Sequence, residues 1–375
     1  MRILVAMDSF KGSLTAPEAC RAVQEGLADA SPAFDCDIMP IADGGEGFVD
    51  VLAGAAGGDM IPVECHDPLG RSLSAPFLRL PDGAAAVETA AASGLTLIAP
   101  GERDVMRATT LGTGEQLLRA LECGAHTVYL GLGGSATTDG GLGLLRALGM
   151  RFYDARGGEV TLPAQLGGLA RVDKSGLTPL LGGVRLVAAS DVHSPLTGPE
   201  GAAHVFGPQK GASPAQVEEL DAALAHLSRC MRAAGLEMEG PGAGAAGGLG
   251  GALRALGFEL RAGVDTVLEM TGARARLEQA ELVIVGEGMT DGQTAAGKAP
   301  CGVARLAREL GRPVACLSGA LGEGYDALYA EGVTAAFAAV ARPMDVERAM
   351  ESAYAYLRSR ARDVGRLWAA ARAAG

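Results

Sequence analysis

A repeated strand–loop–helix pattern is the feature that most restricts the fold of this chain. The first unit is an apolar run, Ile3 to Met7, followed by a polar loop and by a helix that begins with a capping box at Thr15 and Glu18. Further strand–turn–helix units follow near Cys36–Met39, Val128–Leu130, Leu186–Ala189, Leu282–Val285, Val314–Leu317 and Ala336–Val340. Such alternation predicts an α/β fold.

One segment breaks this pattern. Residues 60–88 alternate short apolar runs with turns, which predicts a hairpin and the start of an inserted domain. A chain of 375 residues is long enough for two domains, since a domain usually takes about 100–200 residues. We therefore expect two lobes with a cleft.

Composition excludes several classes of partner. The formal charge of −12 argues against a sequence-independent nucleic-acid binder. Charged residues and prolines interrupt the longer apolar stretches, so no membrane span is predicted, and no secretory segment follows Met1. The seven cysteines include no C-x-x-C pair, which favours free thiols in a cytoplasmic protein. The expected partner is a small molecule.

Lysine is rare in this chain. Of the 32 basic residues only Lys11, Lys174, Lys210 and Lys298 are lysines. A compact ammonium group is suited to phosphate binding, so Lys11, Lys210 and Lys298 are candidates, whereas Lys174 is read as incidental.

The stretch from Gly286 to Lys298, GEGMTDGQTAAGK, follows a predicted strand and resembles a phosphate-binding loop. Ala299 stands where a P-loop needs a hydroxyl for magnesium, and the loop begins too far from the strand end. The P-loop fold is therefore rejected. Backbone N–H groups, Asp291 and Lys298 still provide what a magnesium nucleotide requires.

A second glycine loop runs from Gly131 through Gly133 to Ala136, with Asp154 some two dozen residues after Gly131. This spacing is typical of a dinucleotide site and gives the alternative of an NAD(P)-dependent oxidoreductase. A third loop, ADGGEG, places Asp43 and Glu46 after a strand, where they suit metal or hydroxyl contacts or a helix N-terminus. The apolar GPGAGAAGGLGG stretch predicts either a linker or close backbone packing.

Eight motifs occur in order along the chain: DSFKGSLTA, ADGGEG, TTLGTGEQL, GLGGSATTDGG, SDVHSPLTG, GPQKGA, GAGAAGGLGG and GEGMTDGQTAAGKAPCGVA. Together they resemble the bacterial glycerate kinase family of the first, non-MOFRL type. The resemblance implies ATP-dependent phosphorylation of D-glycerate, usually at the 2-hydroxyl. It also implies a flavodoxin-like doubly wound domain from residues 1–60 and 280–375. A second α/β domain over residues 61–279, similar to restriction endonucleases, would be inserted in it, with the active site in the cleft.

Three positions depart from the family pattern. Met289 replaces an arginine after Gly-Glu-Gly, Thr138 an asparagine before Asp139, and Ser194 an asparagine. The missing arginine could remove catalysis. The second alternative to a kinase is therefore a protein that binds a nucleotide or a sugar acid without catalysing a reaction.

Phosphoryl transfer needs cationic groups, a magnesium site and a base near the attacking hydroxyl. We assign catalysis to Asp191, Asp291 and Lys11, with Asp191 and Asp291 as magnesium ligand or base. Substrate binding is assigned to Asp8, Ser9, Lys11, Asp43, Glu46 and Lys210. Nucleotide binding is assigned to Gly133, Gly134, Ser135, Thr137, Gly286, Gly288 and Lys298.

Overall fold

The computed structural model describes residues 1–42, 44–45, 47–295 and 298–374. It divides into two compact units. Unit 1 comprises Met1–Asp43, Asp50–Ala56 and Val264–Gly375, and unit 2 comprises Gly44–Val49 and Gly57–Gly263. The predicted boundary between the domains at residues 279 and 280 therefore differs from the observed division.

The strands, in chain order, are β1 (Arg2–Met7), β2 (Asp35–Ile38), β3 (Asp59–His66), β4 (Ser72–Arg79), β5 (Ala85–Glu88), β6 (Thr127–Gly131), β7 (Arg151–Asp154), β8 (Leu169–Asp173), β9 (Arg185–Ala189), β10 (Glu259–Arg261), β11 (Leu282–Gly286), β12 (Met289–Thr290), β13 (Val314–Ser318), β14 (Ala320–Leu321) and β15 (Ala335–Ala338).

The α-helices are α1 (Ala16–Ala30), α2 (Phe48–Ala56), α3 (Thr89–Ser93), α4 (Leu111–Glu122), α5 (Leu142–Ala147), α6 (Ala202–Phe206), α7 (Pro214–Ala233), α8 (Ala245–Ala255), α9 (Gly263–Met270), α10 (Ala273–Gln279), α11 (Gly292–Ala295), α12 (Ala299–Glu309), α13 (Val346–Glu351) and α14 (Ala353–Ala374).

Unit 1 is built on a parallel sheet with the strand order β15-β13-β11-β1-β2. Numbered within the unit, this is the 2-1-3-4-5 order of flavodoxin-like folds. β1 is an interior strand between β11 and β2, and its residues Ile3 to Met7 are fully buried, as a near-continuous apolar run in a parallel sheet should be. Helices α1 and α14 pack together over one part of this core, and α12 contacts β1, β11 and β13. The α/β prediction is confirmed.

Unit 2 is built on a mixed sheet with the order β10-β9-β6-β5-β4-β3. β3 and β4 form the antiparallel hairpin that the sequence predicts near residue 60, whereas β5, β6, β9 and β10 pair in parallel. β7 and β8 form a separate antiparallel pair. The similarity of this unit to restriction endonucleases stays a prediction.

The division of the chain differs from the sequence boundary because α10 packs on α12 and β1 of unit 1. Arg276 of α10 also forms an ion pair with Asp37 and donates a hydrogen bond to the carbonyl oxygen of Ile38 at 2.6 Å. Because of these contacts, residues 264–279 belong to unit 1, although these residues precede β11, where the sequence analysis placed the boundary.

The GPGAGAAGGLGG stretch is mostly buried and leads into helix α8, so of the two possibilities left by the sequence the structure favours close packing. Across the described part of the chain, no helix is both long and apolar enough to cross a membrane.

Candidate active site

The carboxyl ends of β1 and β11 lie side by side in unit 1. The two strands pair in parallel with Met7 opposite Gly286, and the N–H of Asp8 donates to the carbonyl oxygen of Gly286 at 2.9 Å. This is the point where the strand order reverses, and ligands of open α/β sheets bind at such points. The segments that follow the two strands line one cavity of about 630 Å³.

Charged side chains from both segments face this cavity. Asp8, Ser9 and Lys11 come from the loop after β1, and Asp291 and Lys298 from the segment after β11. Asp8 is buried and accepts the N–H of Ser9 at 2.6 Å, whereas Lys11 is exposed. With Gly288, which also lines the cavity, the structure thus brings together six of the predicted site residues in one unit.

The sequence assignments did not include Glu287, which also lines this cavity. Its carboxylate is buried, accepts the Thr294 hydroxyl at 2.6 Å, and lies 3.4 Å from the Lys298 ammonium. Burial raises the pKa of Glu287, and the Thr294 and Lys298 contacts oppose that rise. The positive charge of Lys298 stabilises the Glu287 carboxylate, and the carboxylate in turn holds the lysine in place. The position of Glu287 between two glycines directly after an apolar strand is the sequence signal by which it could have been found.

Gly286 and Gly288 have packing reasons for being glycine. A Cβ atom on Gly286 would lie 1.8 Å from the carbonyl oxygen of Leu317, and one on Gly288 would lie 3.3 Å from the Cα of Phe10. Gly286 is therefore required by the neighbouring strand β13, whatever the ligand. The proposed phosphate contacts of both glycines remain a prediction.

A second group of polar residues lies at the carboxyl edge of the parallel strands of unit 2, where Glu88, Gly131 and Ala189 are neighbours in register. The buried Glu88 accepts the N–H groups of Gly47 and Val49, each at 3.2 Å. Asp191 follows β9 and accepts the N–H of Gly263 at 2.9 Å. Asp191 therefore belongs to unit 2 and Asp291 to unit 1.

Lys210 is buried rather than exposed to a ligand. Only 3% of its surface is accessible, and its Nζ donates to the Ser135 hydroxyl at 2.9 Å and to the Thr137 carbonyl oxygen at 2.7 Å. Burial lowers the pKa of Lys210 to about 7. In this structure its donors hold the loop after β6, and the assignment of Lys210 to substrate contact stays a prediction.

Thr137 and Thr138 are fully buried in that loop, and Ser135 is nearly so. The neighbouring Asp139 is fully buried and accepts the Thr110 hydroxyl at 2.9 Å and the N–H groups of Gly141 and Gly143, each at 3.0 Å. Burial raises the pKa of Asp139, against the effect of these hydrogen bonds. The loop is therefore a rigid, internally bonded segment, and the Thr137 hydroxyl does not face solvent.

Gly133 and Gly134 belong to the same loop. The N–H of Gly133 donates to the carbonyl oxygen of Gly44 at 3.1 Å, and a Cβ atom there would lie 2.3 Å from the Cα of Gly45. Gly134 has a left-handed φ of 74°, which glycine adopts without strain. Close packing and backbone conformation account for both glycines.

The dinucleotide interpretation is not supported. In that fold the acidic residue ends a second parallel strand of the same sheet. Here Asp154 ends β7, which pairs only with β8 among the described strands, antiparallel and outside the main sheet. Its carboxylate accepts the N–H groups of Arg156 and Gly158, each at 2.8 Å, and so closes a turn.

The donor set of the unit 1 cavity fits a magnesium nucleotide. Among the described residues no group of three or more His, Cys, Asp or Glu side chains forms a complete metal site. Mg²⁺ usually takes one or two carboxylates and completes its coordination with water and substrate phosphates, so Asp8 and Asp291 suffice. The predicted residues Asp43 and Glu46 lie outside the described residues.

Comparison with known proteins identifies the family. The family model described as "Glycerate kinase family" matches residues 3–369. A glycerate kinase of Bacillus subtilis (strain 168) is 42% identical, with 97% of each chain covered. A glycerate 2-kinase of Escherichia coli (strain K12) is 40% identical, with 94% of each covered. The crystal structure of a candidate glycerate kinase 2 from Salmonella typhimurium LT2 superposes with a TM-score of 0.86 at 40% identity, covering 99% of both chains. The chain therefore belongs to the glycerate kinase family.

Proposed function

We propose that this kinase transfers the γ-phosphoryl group of ATP, with magnesium, to the 2-hydroxyl of D-glycerate. The product, 2-phosphoglycerate, would carry organic-acid catabolism into glycolysis. The name of the Escherichia coli relative, glycerate 2-kinase, supports the choice of hydroxyl. The seven cysteines are free thiols, which supports a cytoplasmic location.

One observation carries the proposal: two lysines and two aspartates meet in one cavity at the switch point of the unit 1 sheet. Lys11 and Lys298 would neutralise phosphate oxygens, and Glu287 keeps Lys298 in position. Asp8 and Asp291 would hold Mg²⁺, which when bound neutralises charge on the phosphates. For Asp191, which follows β9, we keep one of the two roles that the sequence analysis allows, that of the base that accepts the proton of the attacking hydroxyl.

The first test is turnover with D-glycerate, ATP and magnesium, followed by coupled ADP release and by phosphorus NMR of the product. Reactions without glycerate and without magnesium are the controls. A 2-phosphoglycerate signal is expected. A 3-phosphoglycerate signal would overturn the position of transfer, and ATP binding without turnover would favour a binding protein.

The second test separates the two aspartates. We expect Asp291→Asn and Asp191→Asn each to lower kcat by at least about 100-fold with unchanged thermal melts, the size typical of losing an acid–base or charge-stabilising group. Asp291→Asn should also raise the magnesium concentration needed for half-maximal rate, whereas Asp191→Asn should alter the pH profile instead. Asp326→Asn, an exposed aspartate of unit 1, is the matched control. Near-normal kcat in both variants would refute the assignments.

A further inference from the structure

The cavity of unit 1 has two chemically different halves. One half carries the charged residues after β1 and β11. The other half is apolar. It comprises Met289 together with side chains of α13, α14 and the segments that precede them, among them Met344, Val346, Met350 and Tyr356. A volume of about 630 Å³ lies in the range of about 300–1,000 Å³ that accommodates drug-sized ligands. A three-carbon hydroxy acid would leave most of it empty.

The apolar half contains unusually exposed hydrophobic side chains. Met289, Val346 and Met350 are 56%, 74% and 37% exposed, and all three line the cavity. Large apolar side chains that are exposed together around one concavity mark a binding surface. A cavity with one charged and one apolar half fits a ligand that has a charged end and a flat apolar end.

We propose that the apolar half of this cavity binds the base of the nucleotide, with its phosphates at Lys11 and Lys298. This inference rests on the proposed kinase function and deepens it. Methionine sulfur makes favourable contacts with aromatic rings, and Tyr356 and Arg342 provide flat surfaces on which a purine stacks. Met289 then belongs to the base-binding surface, which gives this chain's departure from arginine a role of its own.

The test is to fill the apolar half while leaving the charged half intact. Ala353 lines the cavity from the start of α14, whereas Ala355 is exposed on the same helix and is not among the lining residues. Ala353→Phe should weaken ATP binding at least tenfold relative to Ala355→Phe, measured by titration without glycerate. The affinity for inorganic tripolyphosphate, which lacks the base, and the KM for glycerate should change less than twofold.

A second pair of variants covers the case in which Ala353→Phe fails to fold. Val346→Asp places a carboxylate in the apolar half at the first turn of α13, where acidic residues are favourable. Because Val346 is 74% exposed, the fold should be retained. Val205→Asp, at an exposed valine of unit 2, is the control. The same selective loss of ATP affinity is expected.

Three outcomes would overturn the inference: ATP affinity within twofold of the controls, an equal loss for tripolyphosphate, or a shift confined to the glycerate KM. The failure of the proposed function looks different. In that case the wild-type protein shows no phosphoryl transfer to glycerate, while the selective loss of ATP binding in the cavity variants persists.

Discussion

At the scale of single residues, the few lysines of the chain differ in their exposure and in their contacts. Lys11 is exposed at the unit 1 cavity, Lys298 is held there by Glu287, and Lys210 is buried in unit 2. From the sequence alone, all three were predicted to bind phosphate or substrate. The sequence did not separate a lysine that faces a ligand from one that supports a loop, because burial depends on contacts with residues more than 70 positions away, such as Ser135 and Thr137.

The buried Lys210 predicts a pH dependence of stability. Its pKa is about 7 in the folded protein and 10.5 in the unfolded chain, so between these values the unfolded state binds more protons. Stability therefore rises with pH across this window. Between pH 7 and 9 the unfolding free energy of the wild type should increase by roughly 2 kcal/mol relative to Lys210→Met.

Urea unfolding at several pH values measures this difference, with Lys174→Met, at an exposed lysine of the same unit, as the matched control. Parallel curves for the wild type and Lys210→Met from pH 7 to 9 would show that Lys210 is not buried as an amine of lowered pKa.

At the scale of elements, α8 shows how a glycine-rich segment supports a neighbouring loop. Ala246, Gly247 and Gly248 interrupt the helix in left-handed conformations, with φ values of 51°, 69° and 91°. The N–H of Gly140 donates to the carbonyl oxygen of Gly247 at 3.0 Å, next to Asp139. Composition left the choice between linker and packed segment open, since the deciding contacts are with a loop about 110 residues earlier.

Two neighbouring substitutions in this turn should act in opposite directions. Ala246→Gly relieves a left-handed alanine and should raise the unfolding free energy by about 0.5–1 kcal/mol. Gly247→Ala should lower it by about 2–3 kcal/mol, because the new Cβ would lie 1.9 Å from the carbonyl oxygen of Thr137.

Denaturant unfolding tests both changes. Ala255→Gly, near the regular end of the same helix, is the control and should cost about 1 kcal/mol. A loss of stability in Ala246→Gly as large as in Ala255→Gly would contradict the strain argument.

At the scale of the whole molecule, the pattern of strands and helices predicted the fold class and the hairpin near residue 60, because apolar periodicity is a local signal. The boundary at residue 280 was less accurate, since α10 joins unit 1 through Arg276 and its ion pair with Asp37. Periodicity does not show which strands pair, so it could not predict that β1 pairs with β11. Only the family resemblance implied that the two ends of the chain form one domain. Residues after β1 and after β11 share a cavity only because of that pairing.

The division into units predicts which fragment folds. Residues 57–263 contain the whole six-stranded sheet of unit 2 and its core. Expressed alone, this polypeptide should unfold cooperatively on heating. Residues 264–375 lack strands β1 and β2 of the unit 1 sheet, so this fragment should not unfold cooperatively. Circular dichroism melts of both fragments and of the full chain test this, and a non-cooperative melt of residues 57–263 would contradict the independence of unit 2.

The interior position of β1, between β2 and β11, also has a consequence for biosynthesis. Its partner β11 is translated only after residues 8–281, which at about 5–20 residues per second takes roughly 15–55 s. During that interval an apolar strand that is fully buried in the finished protein has one unpaired edge, which is prone to association with other nascent chains. Unit 2 has time to fold on the ribosome first, and the N-terminal strand needs protection until the last quarter of the chain emerges.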